Sequence, residues 1–319
     1  MPTRLLLLPL LLALPSAAAA AELEAWAGGG AHATTGFAGG QLGNQSQVEA
    51  DGRLRYGAVS ARVDLDLHLD PAAPGVVVRP YAPEWAAIQV GQGRYRLRGG
   101  VLNPMISLED WDEWDNYLPT YSLLFSGASL GRVRGGEAEV AFDDGTAVFV
   151  FAGQDLDFGV APPPLVVGAG VSSEQDAFGT WSGVAAYPTE GWYAGYGSVE
   201  VYPHDQLSVA LDTSFGTSAG APFFTGQLVL NALPEAAVQP VARVESLWDP
   251  QGAVLDAQDG LKRYTASLGA RWAPADPVLL SLEAKLDALG PAPVPGIFLG
   301  VSLFRGEPED GALDGEADP

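Results

Sequence analysis

The sequence contains no cysteine among its 319 residues. Disulfide frameworks, thiolate metal sites and cysteine nucleophiles are therefore excluded. Basic residues are scarce too: 16 lysines and arginines stand against 39 aspartates and glutamates, giving a formal net charge of -23 at pH 7. Because so acidic a chain repels phosphates, we expect no nucleic acid among its partners.

Long apolar runs are missing beyond the N-terminal segment. That segment, MPTRLLLLPLLLALPSAAAA, has one cation (Arg4), a leucine run and then small residues. The apolar run is about a dozen residues, whereas a membrane-spanning helix needs roughly twenty, so residues 1–21 are interpreted as a cleaved signal peptide. No later stretch suits a helical span, so any membrane insertion must be as a barrel.

What the sequence does have is alternation at period two. In RVDLDLHL, for example, Val63 and Leu65 share one face while Arg62 and Asp64 share the other. Segments of about 9 to 11 residues are typical of transmembrane strands, and soluble sandwiches, which also alternate, are the weaker interpretation. Aromatic residues near the segment ends predict interface girdles. They are Trp85, Tyr95, Trp181, Tyr187, Trp192, Tyr202, Trp248 and Trp272.

These patterns predict an all-β fold, a transmembrane antiparallel up-and-down β-barrel over residues 22–305. We count about sixteen strands, with fourteen as the alternative. The predicted starts are residues 22, 45, 57, 84, 94, 129, 145, 164, 177, 191, 205, 221, 235, 260, 277 and 294. Short turns alternate with longer external loops, of which the first three cover residues 33–44, 70–82 and 103–128. Residues 306–319 are predicted to be a disordered acidic tail.

The third external loop, NPMISLEDWDEWDNYLPTYSLLFSGA, contains no cation. Its five carboxylates are Glu109, Asp110, Asp112, Glu113 and Asp115. Basic residues on the flanking and earlier strands are candidates for a pore wall. They are Arg53, Arg55, Arg62, Arg94, Arg96, Arg98 and Arg132. Arg134 has the parity of Arg132 but not of Glu137 and Glu139, which predicts a bulge at Gly135 and Gly136 if all four face the lumen.

An acidic loop folded toward such a wall would create a transverse field across a water-filled constriction, favouring hydrated solutes. A second interpretation stays open, in which the arginines pair with Asp64, Asp66, Glu137 and Glu139 to hold the strands together. The sequence also leaves open whether the loop turns inward or stands outside.

Sixteen strands with a long acidic third loop resemble the general diffusion porins. The runs GGVLNP, NYLPTYSLLFSG and LGRVRGGEAEVAF are similar to the OmpL-like β-barrel porin family, with Asn116, Tyr117, Ser122 and Phe125 as the matching positions. The resemblance implies that the loop folds into the barrel, faces arginines on the wall, and that the protein forms a homotrimer. The chain departs from the pattern after Phe304, where Arg305 and the acidic tail follow the expected terminal aromatic.

We therefore expect an outer-membrane porin for passive diffusion of small hydrophilic solutes or ions, in contact with membrane lipid and lipopolysaccharide. The bacterial outer membrane is the expected location. The rival is a closed or narrow structural or adhesive barrel without channel activity. No enzyme activity, cofactor or metal is expected, because His32, His68 and His204 are dispersed and no Ser and His pair stands out.

Overall fold

The computed structural model describes residues 23–38, 41–70, 77–80, 85–102, 118–119, 130–157, 162–175, 177–234, 236–251, 262–275, 278–288 and 293–305. Its strands are β1 Leu23–Ala38, β2 Gln41–Tyr56, β3 Val59–Asp70, β4 Val77–Pro80, β5 Trp85–Gln92, β6 Tyr95–Leu102, β7 Val133–Ala141, β8 Thr146–Asp155, β9 Leu165–Gln175, β10 Phe178–Tyr187, β11 Trp192–His204, β12 Leu207–Ser218, β13 Ala221–Ala232, β14 Val238–Trp248, β15 Lys262–Ala275, β16 Val278–Ala288 and β17 Val294–Arg305. Within the described ranges, no helix has the length and apolar character needed to cross a bilayer.

The strands form one closed antiparallel barrel. Sequential strands pair with each other, and β1 pairs with both β2 and β17, which closes the sheet. Strands β4 and β5 both pair with β3, at different heights along it, and together occupy one strand position of the barrel. The seventeen strand segments thus form a barrel with sixteen strand positions. The predicted all-β barrel is confirmed.

The predicted strand starts lie within four residues of the observed ones. Two predicted loops are wrong. Residues 33–44 are not a loop, because β1 continues to Ala38 and β2 begins at Gln41, in register throughout. The small and polar residues of this stretch predict a loop locally, but pairing along the hairpin overrides that preference. The second loop, 70–82, contains β4.

The barrel is polar inside and apolar outside, the reverse of a soluble protein. Leu268, Val184 and Ile297 are 66%, 61% and 59% exposed on the outer face, while Asp212 and Glu283 are completely buried on the inner face. Because burying charged groups is costly unless they are paired, an inner polar face needs partners or water, and an outer face of this kind needs lipid. This arrangement favours the transmembrane interpretation over the soluble sandwich.

The two ends of the barrel differ. One, the turn end, carries the first and last strand termini and short turns such as 57–58, 93–94 and 205–206; the other, the loop end, carries the connection from β6 to β7. Exposed aromatic side chains lie near both. Those near the turn end are Tyr56, Tyr95, Phe142, Tyr202 and Trp272, and those near the loop end are Phe37, Tyr193, Phe215, Phe224, Trp248 and Tyr264. Two such girdles are typical of transmembrane barrels.

The predicted girdle is only partly right. Tyr95, Tyr202, Trp248 and Trp272 are exposed on the outer face as expected. Trp181, Tyr187 and Trp192 are buried and face the interior, so their assignment to the girdle is wrong. Closeness to a strand end does not decide which face a side chain occupies, because parity along the strand does. The side chain of Trp85 lies outside the described residues.

Candidate functional site in the barrel interior

Arginines on β2 and β3 line one part of the inner wall. Arg53 and Arg62 are direct cross-strand neighbours, and Arg55 lies opposite Ser60. The Nε atom of Arg62 lies 2.5 Å from Asp64 Oδ2, and the Arg62 side chain remains 27% exposed. All three arginines face the interior and are half-buried. The side chain of Asp66 lies outside the described residues.

Arg96 and Arg98 on β6 continue the wall and form ion pairs with β7. Arg96 Nη1 donates to Glu139 Oε1 at 2.7 Å, and Arg98 Nη1 donates to Glu137 Oε1 at 2.6 Å. Arg98 Nε also donates to Gln89 on β5 at 2.8 Å. The pairing that the sequence offered as an alternative is thus present for both residues. It does not exclude a role in the lumen, because the Arg96 and Arg98 side chains are still 27% and 19% exposed.

The predicted bulge at Gly135 and Gly136 is wrong. Strands β6 and β7 pair without a register shift from Leu102 and Val133 to Tyr95 and Val140. Glu137 and Glu139 face inward by ordinary alternation. Arg134 consequently faces outward, where its Nη2 donates to Gln154 at 2.7 Å.

Two of the predicted wall arginines do not lie on a strand. Arg94 is in the turn between β5 and β6, exposed, with its guanidinium 5.2 Å from the centre of the Tyr95 ring. Arg132 lies immediately before β7 and is 7% exposed. Both positions correct the simple parity argument, since alternation applies only within a strand.

The connection from β6 to β7 reaches the opposite wall at Leu118. Leu118 is 2% exposed and clusters with Ala210, Val229 and Val241, inward-facing residues of β12, β13 and β14. Counted around the sixteen strand positions of the barrel, β13 is nine positions from β3 in one direction and seven positions in the other. Leu118 therefore lies across the interior from the arginines of β2 and β3. The five predicted loop acids, Glu109, Asp110, Asp112, Glu113 and Asp115, lie outside the described residues.

Glycine makes room for this contact. A Cβ atom added at Gly269 of β15 would lie 2.6 Å from Leu118 Cδ2, too close for two carbon atoms. Nearby, a Cβ atom at Gly300 of β17 would lie 3.4 Å from Pro119 Cβ. Leu118 and Pro119 thus both sit against the inner wall. A signal for Leu118 existed in the sequence, namely an apolar residue within an acidic, polar stretch, but its partners are about a hundred residues away and cannot be read locally.

Two aspartates hold the end of this connection next to β7. Asp155 Oδ2 accepts a hydrogen bond from the Gly131 amide at 3.1 Å and another from the Tyr187 hydroxyl. Asp157 binds the side chain of Arg132, whose Nη2 lies 2.5 Å from Asp157 Oδ1. The backbone amide of Asp157 donates to Asp155 Oδ1 at 2.8 Å, which joins the two residues. We call Gly131, Arg132, Asp155, Asp157 and Tyr187 the loop clamp.

An aromatic cluster fills the inner face beside the clamp. It comprises Phe149, Phe151, Trp181, Tyr187, Trp192, Tyr196 and Phe223, with Leu130 and Val133 from the β6–β7 side. Trp192 stacks on Phe223 at 6.2 Å between ring centroids and meets Tyr187 edge-on at 4.9 Å. These rings are at most 8% exposed, so this part of the interior is closed by side chains.

A buried ion-pair network lies on the wall next to Leu118. Arg243 Nε is 2.7 Å from Glu245 Oε1, and Arg243 Nη2 is 3.3 Å from Glu283 Oε1, with all three side chains at most 1% exposed. Arg243 is the direct register partner of Val229, one of the residues around Leu118. Arg243 is thus sealed from solvent, unlike the partly exposed arginines of β2, β3 and β6 and unlike the half-buried inward cations Arg263, Arg271 and Lys285 of β15 and β16.

The structure contains one contact between a serine and a histidine that the sequence did not predict. His32 Nδ1 lies 2.7 Å from Ser302 Oγ at the seam between β1 and β17, while Nε2 lies 2.5 Å from Thr34 Oγ1. The two residues are 270 positions apart, so only barrel closure brings them together. Both are buried, and Thr34 occupies the place where a triad would need a carboxylate. Among the described residues, no three His, Cys, Asp or Glu side chains are grouped to hold a metal ion.

Comparison with known proteins adds structural neighbours. No protein-family model and no curated protein matches the chain. The outer membrane channel DcaP of Acinetobacter baumannii superimposes with a TM-score of 0.65 at 10% identity, covering 89% of this chain and 97% of that one. A mutant of the Rh. blastica porin gives 0.59 at 12% identity, covering 88% and 100%. The chain folds as a porin-like β-barrel.

A further neighbour is consistent with that fold. A variant of OmpT lacking loop L8, an outer membrane protein of Vibrio cholerae, gives a TM-score of 0.59 at 11% identity over 89% of this chain and 99% of that one. At such identities the likeness concerns the fold alone, and confirms the predicted porin-like architecture. The positions of the OmpL-like motif, Asn116, Tyr117, Ser122 and Phe125, lie outside the described residues.

Proposed function

We propose that this porin-like barrel spans the bacterial outer membrane and lets small hydrophilic solutes or ions diffuse passively through its interior. The observation that carries the proposal is the pair of opposed walls. Partly exposed arginines line β2, β3 and β6, and Leu118 of the β6–β7 connection lies against the far wall. A connection that crosses the interior narrows the path, and the arginines set the charge along it. No catalytic step, cofactor or metal is part of this mechanism.

The finer part of the proposal concerns the loop acids. Glu109, Asp110, Asp112, Glu113 and Asp115 come before Leu118 in the same connection. We propose that they face the arginine wall and create a transverse field that favours hydrated solutes over apolar ones. The position of Leu118 supports this, since it anchors the connection inside the barrel. Membrane lipid surrounds the outer face, and a homotrimer is the proposed assembly.

The test is the swelling rate of liposomes that contain the purified full-length protein, with neutral sugars of increasing size. Swelling should fall steeply with solute size, because the narrowed interior sets a size limit. Replacing both Asp112 and Asp115 by Asn should then lower cation preference in the reversal potential under a salt gradient. The matched control is Asp205→Asn, an exposed carboxylate in the turn between β11 and β12. An unchanged reversal potential in the double variant would remove these acids from the narrow region.

One observation favours a second candidate, a narrow structural barrel without channel activity. The aromatic cluster and the Arg243 network close parts of the interior with buried side chains. Intact liposomes that show no swelling with any solute would support this candidate and contradict the channel.

A further inference from the structure

Arg134 is a charged residue on the apolar outer face of the barrel. Among the outward-facing strand side chains that the structure describes, it is the only arginine, lysine or carboxylate. Its neighbours in the same row are Val101 on β6 and Gln154 on β8, and it donates a hydrogen bond to Gln154 at 2.7 Å. The sequence placed this residue in the lumen, so its position on the lipid-facing side needs another explanation.

The height of Arg134 matches a membrane boundary. It is the second residue of β7 at the loop end, and Phe142 of the turn-end girdle follows it by eight residues. Eight residues span about 26 Å along a strand, or about 20 Å across the membrane at a tilt of about 40°. Because the apolar band of such barrels is about 25 Å tall, Arg134 lies near its loop-end edge, where lipid headgroups begin.

The surface below Arg134 carries small residues. In the next outward row toward the turn end, Gly99 pairs with Gly136, and Gly136 pairs with Ala152. A Cβ atom added at Gly99 or Gly136 would meet only one backbone oxygen each, at 3.9 and 3.5 Å, so nothing covers these positions from outside. Ile88 at 58% exposed rises on one side. The result is a shallow depression three strands wide. The guanidinium of Arg134 and the carboxamide of Gln154 lie at its loop-end edge.

We propose that Arg134 and Gln154 bind a phosphate of lipopolysaccharide, with an acyl chain lying over Gly99, Gly136 and Ala152. The guanidinium offers a planar fork of donors that fits phosphate, and the carboxamide of Gln154 can add a further donor. A second copy of the chain is a poorer occupant, since no described outward-facing side chain supplies a carboxylate for Arg134. This assignment rests on the proposed outer-membrane location, with the loop end facing the outer leaflet.

The test measures binding of rough lipopolysaccharide to the purified full-length protein in detergent, by native mass spectrometry. Arg134→Gln should weaken binding by about fivefold to a hundredfold, the range of one charge-assisted phosphate contact. Arg134→Lys should lose less, because it keeps the charge but not the fork. Arg94→Gln, which removes an exposed arginine at the turn end, should bind like the wild type. Heat-modifiable migration checks that each variant is folded.

A second arm uses the wild-type protein alone and does not depend on any variant folding. Dephosphorylated lipopolysaccharide should bind more weakly than the phosphorylated form, and phosphatidylglycerol should also bind more weakly. Equal binding of the dephosphorylated form, equal binding of phosphatidylglycerol, or full binding by Arg134→Gln each overturns the proposal. The proposal is also overturned if Arg134→Gln dissociates an oligomer of the protein and leaves lipid binding unchanged. None of these readouts involves conductance, so failure here is separate from failure of the channel.

Discussion

The carboxylate of Asp157 binds Arg132 at three points, through the backbone amide at 2.8 Å, Nε at 2.9 Å and Nη2 at 2.5 Å. Such charge-assisted bonds are stronger than neutral ones. Asp157→Asn should therefore lower the free energy of unfolding by about 1–3 kcal/mol, the cost of leaving such a group without its partner. It should also increase current noise in the open channel, because the end of the β6–β7 connection is less firmly held.

Thermal unfolding in detergent and single-channel recording measure these two effects. Asp205→Asn, in an exposed turn at the other end of the barrel, is the matched control. Equal stability and equal noise in both variants would show that the clamp does not hold the connection.

Leu118 is the second point at which this connection is fixed. Leu118→Ala removes a buried side chain from Ala210, Val229 and Val241, and such changes cost about 2–5 kcal/mol of local stability. We expect a higher and more variable single-channel conductance, because the connection leaves the far wall. Leu97→Ala, on the lipid-facing side of β6, is the control and should leave conductance unchanged. A Leu118→Ala channel with wild-type conductance would show that this anchor does not limit the path.

The arginines of β6 should influence ion preference. Arg96→Gln removes an inward cation that is 27% exposed and pairs with Glu139. The reversal potential under a salt gradient should shift toward cation preference. Arg94→Gln, in the turn, should cause no comparable shift, since its guanidinium lies over Tyr95 at the turn end. Equal shifts from both variants would mean that surface charge, not the inner wall, sets selectivity.

The lipid contact of the apolar outer face can be tested by introducing a charged residue there. Leu268 lies in the middle of β15 and is 66% exposed. Leu268→Arg should destabilise folding into lipid vesicles by about 2–4 kcal/mol, the cost at the bilayer midplane. Leu233→Arg is the control, an exposed leucine in the turn after β13, and should cost much less. Folding yield by heat-modifiable migration gives the comparison, and similar yields would place Leu268 outside the hydrocarbon region.

Much of the barrel could be predicted from period-two alternation, because each strand repeats the same inside and outside choice. Strand starts and the inward positions of Arg53, Arg55, Arg62, Arg96 and Arg98 follow from it. Where the alternation is interrupted, the inference failed. Arg94 is in a turn, Arg132 precedes its strand, and Arg134 takes the outer face because β7 has no bulge.

Contacts between residues far apart in the sequence could not be predicted for a different reason. Leu118 meets β12 to β14, and His32 meets Ser302, only because the sheet closes. No local pattern encodes such distances. The inward aromatic cluster was missed because girdle aromatics and interior aromatics have the same composition, and only their parity relative to neighbours separates them.

The central claim is that the interior conducts. Single-channel recording of the full-length protein in planar bilayers tests it most directly. We expect discrete, ohmic openings, with an increase in conductance when Leu118 is replaced by Ala. A folded, inserted protein that gives no current in either form would contradict the channel and leave the narrow structural barrel as the function.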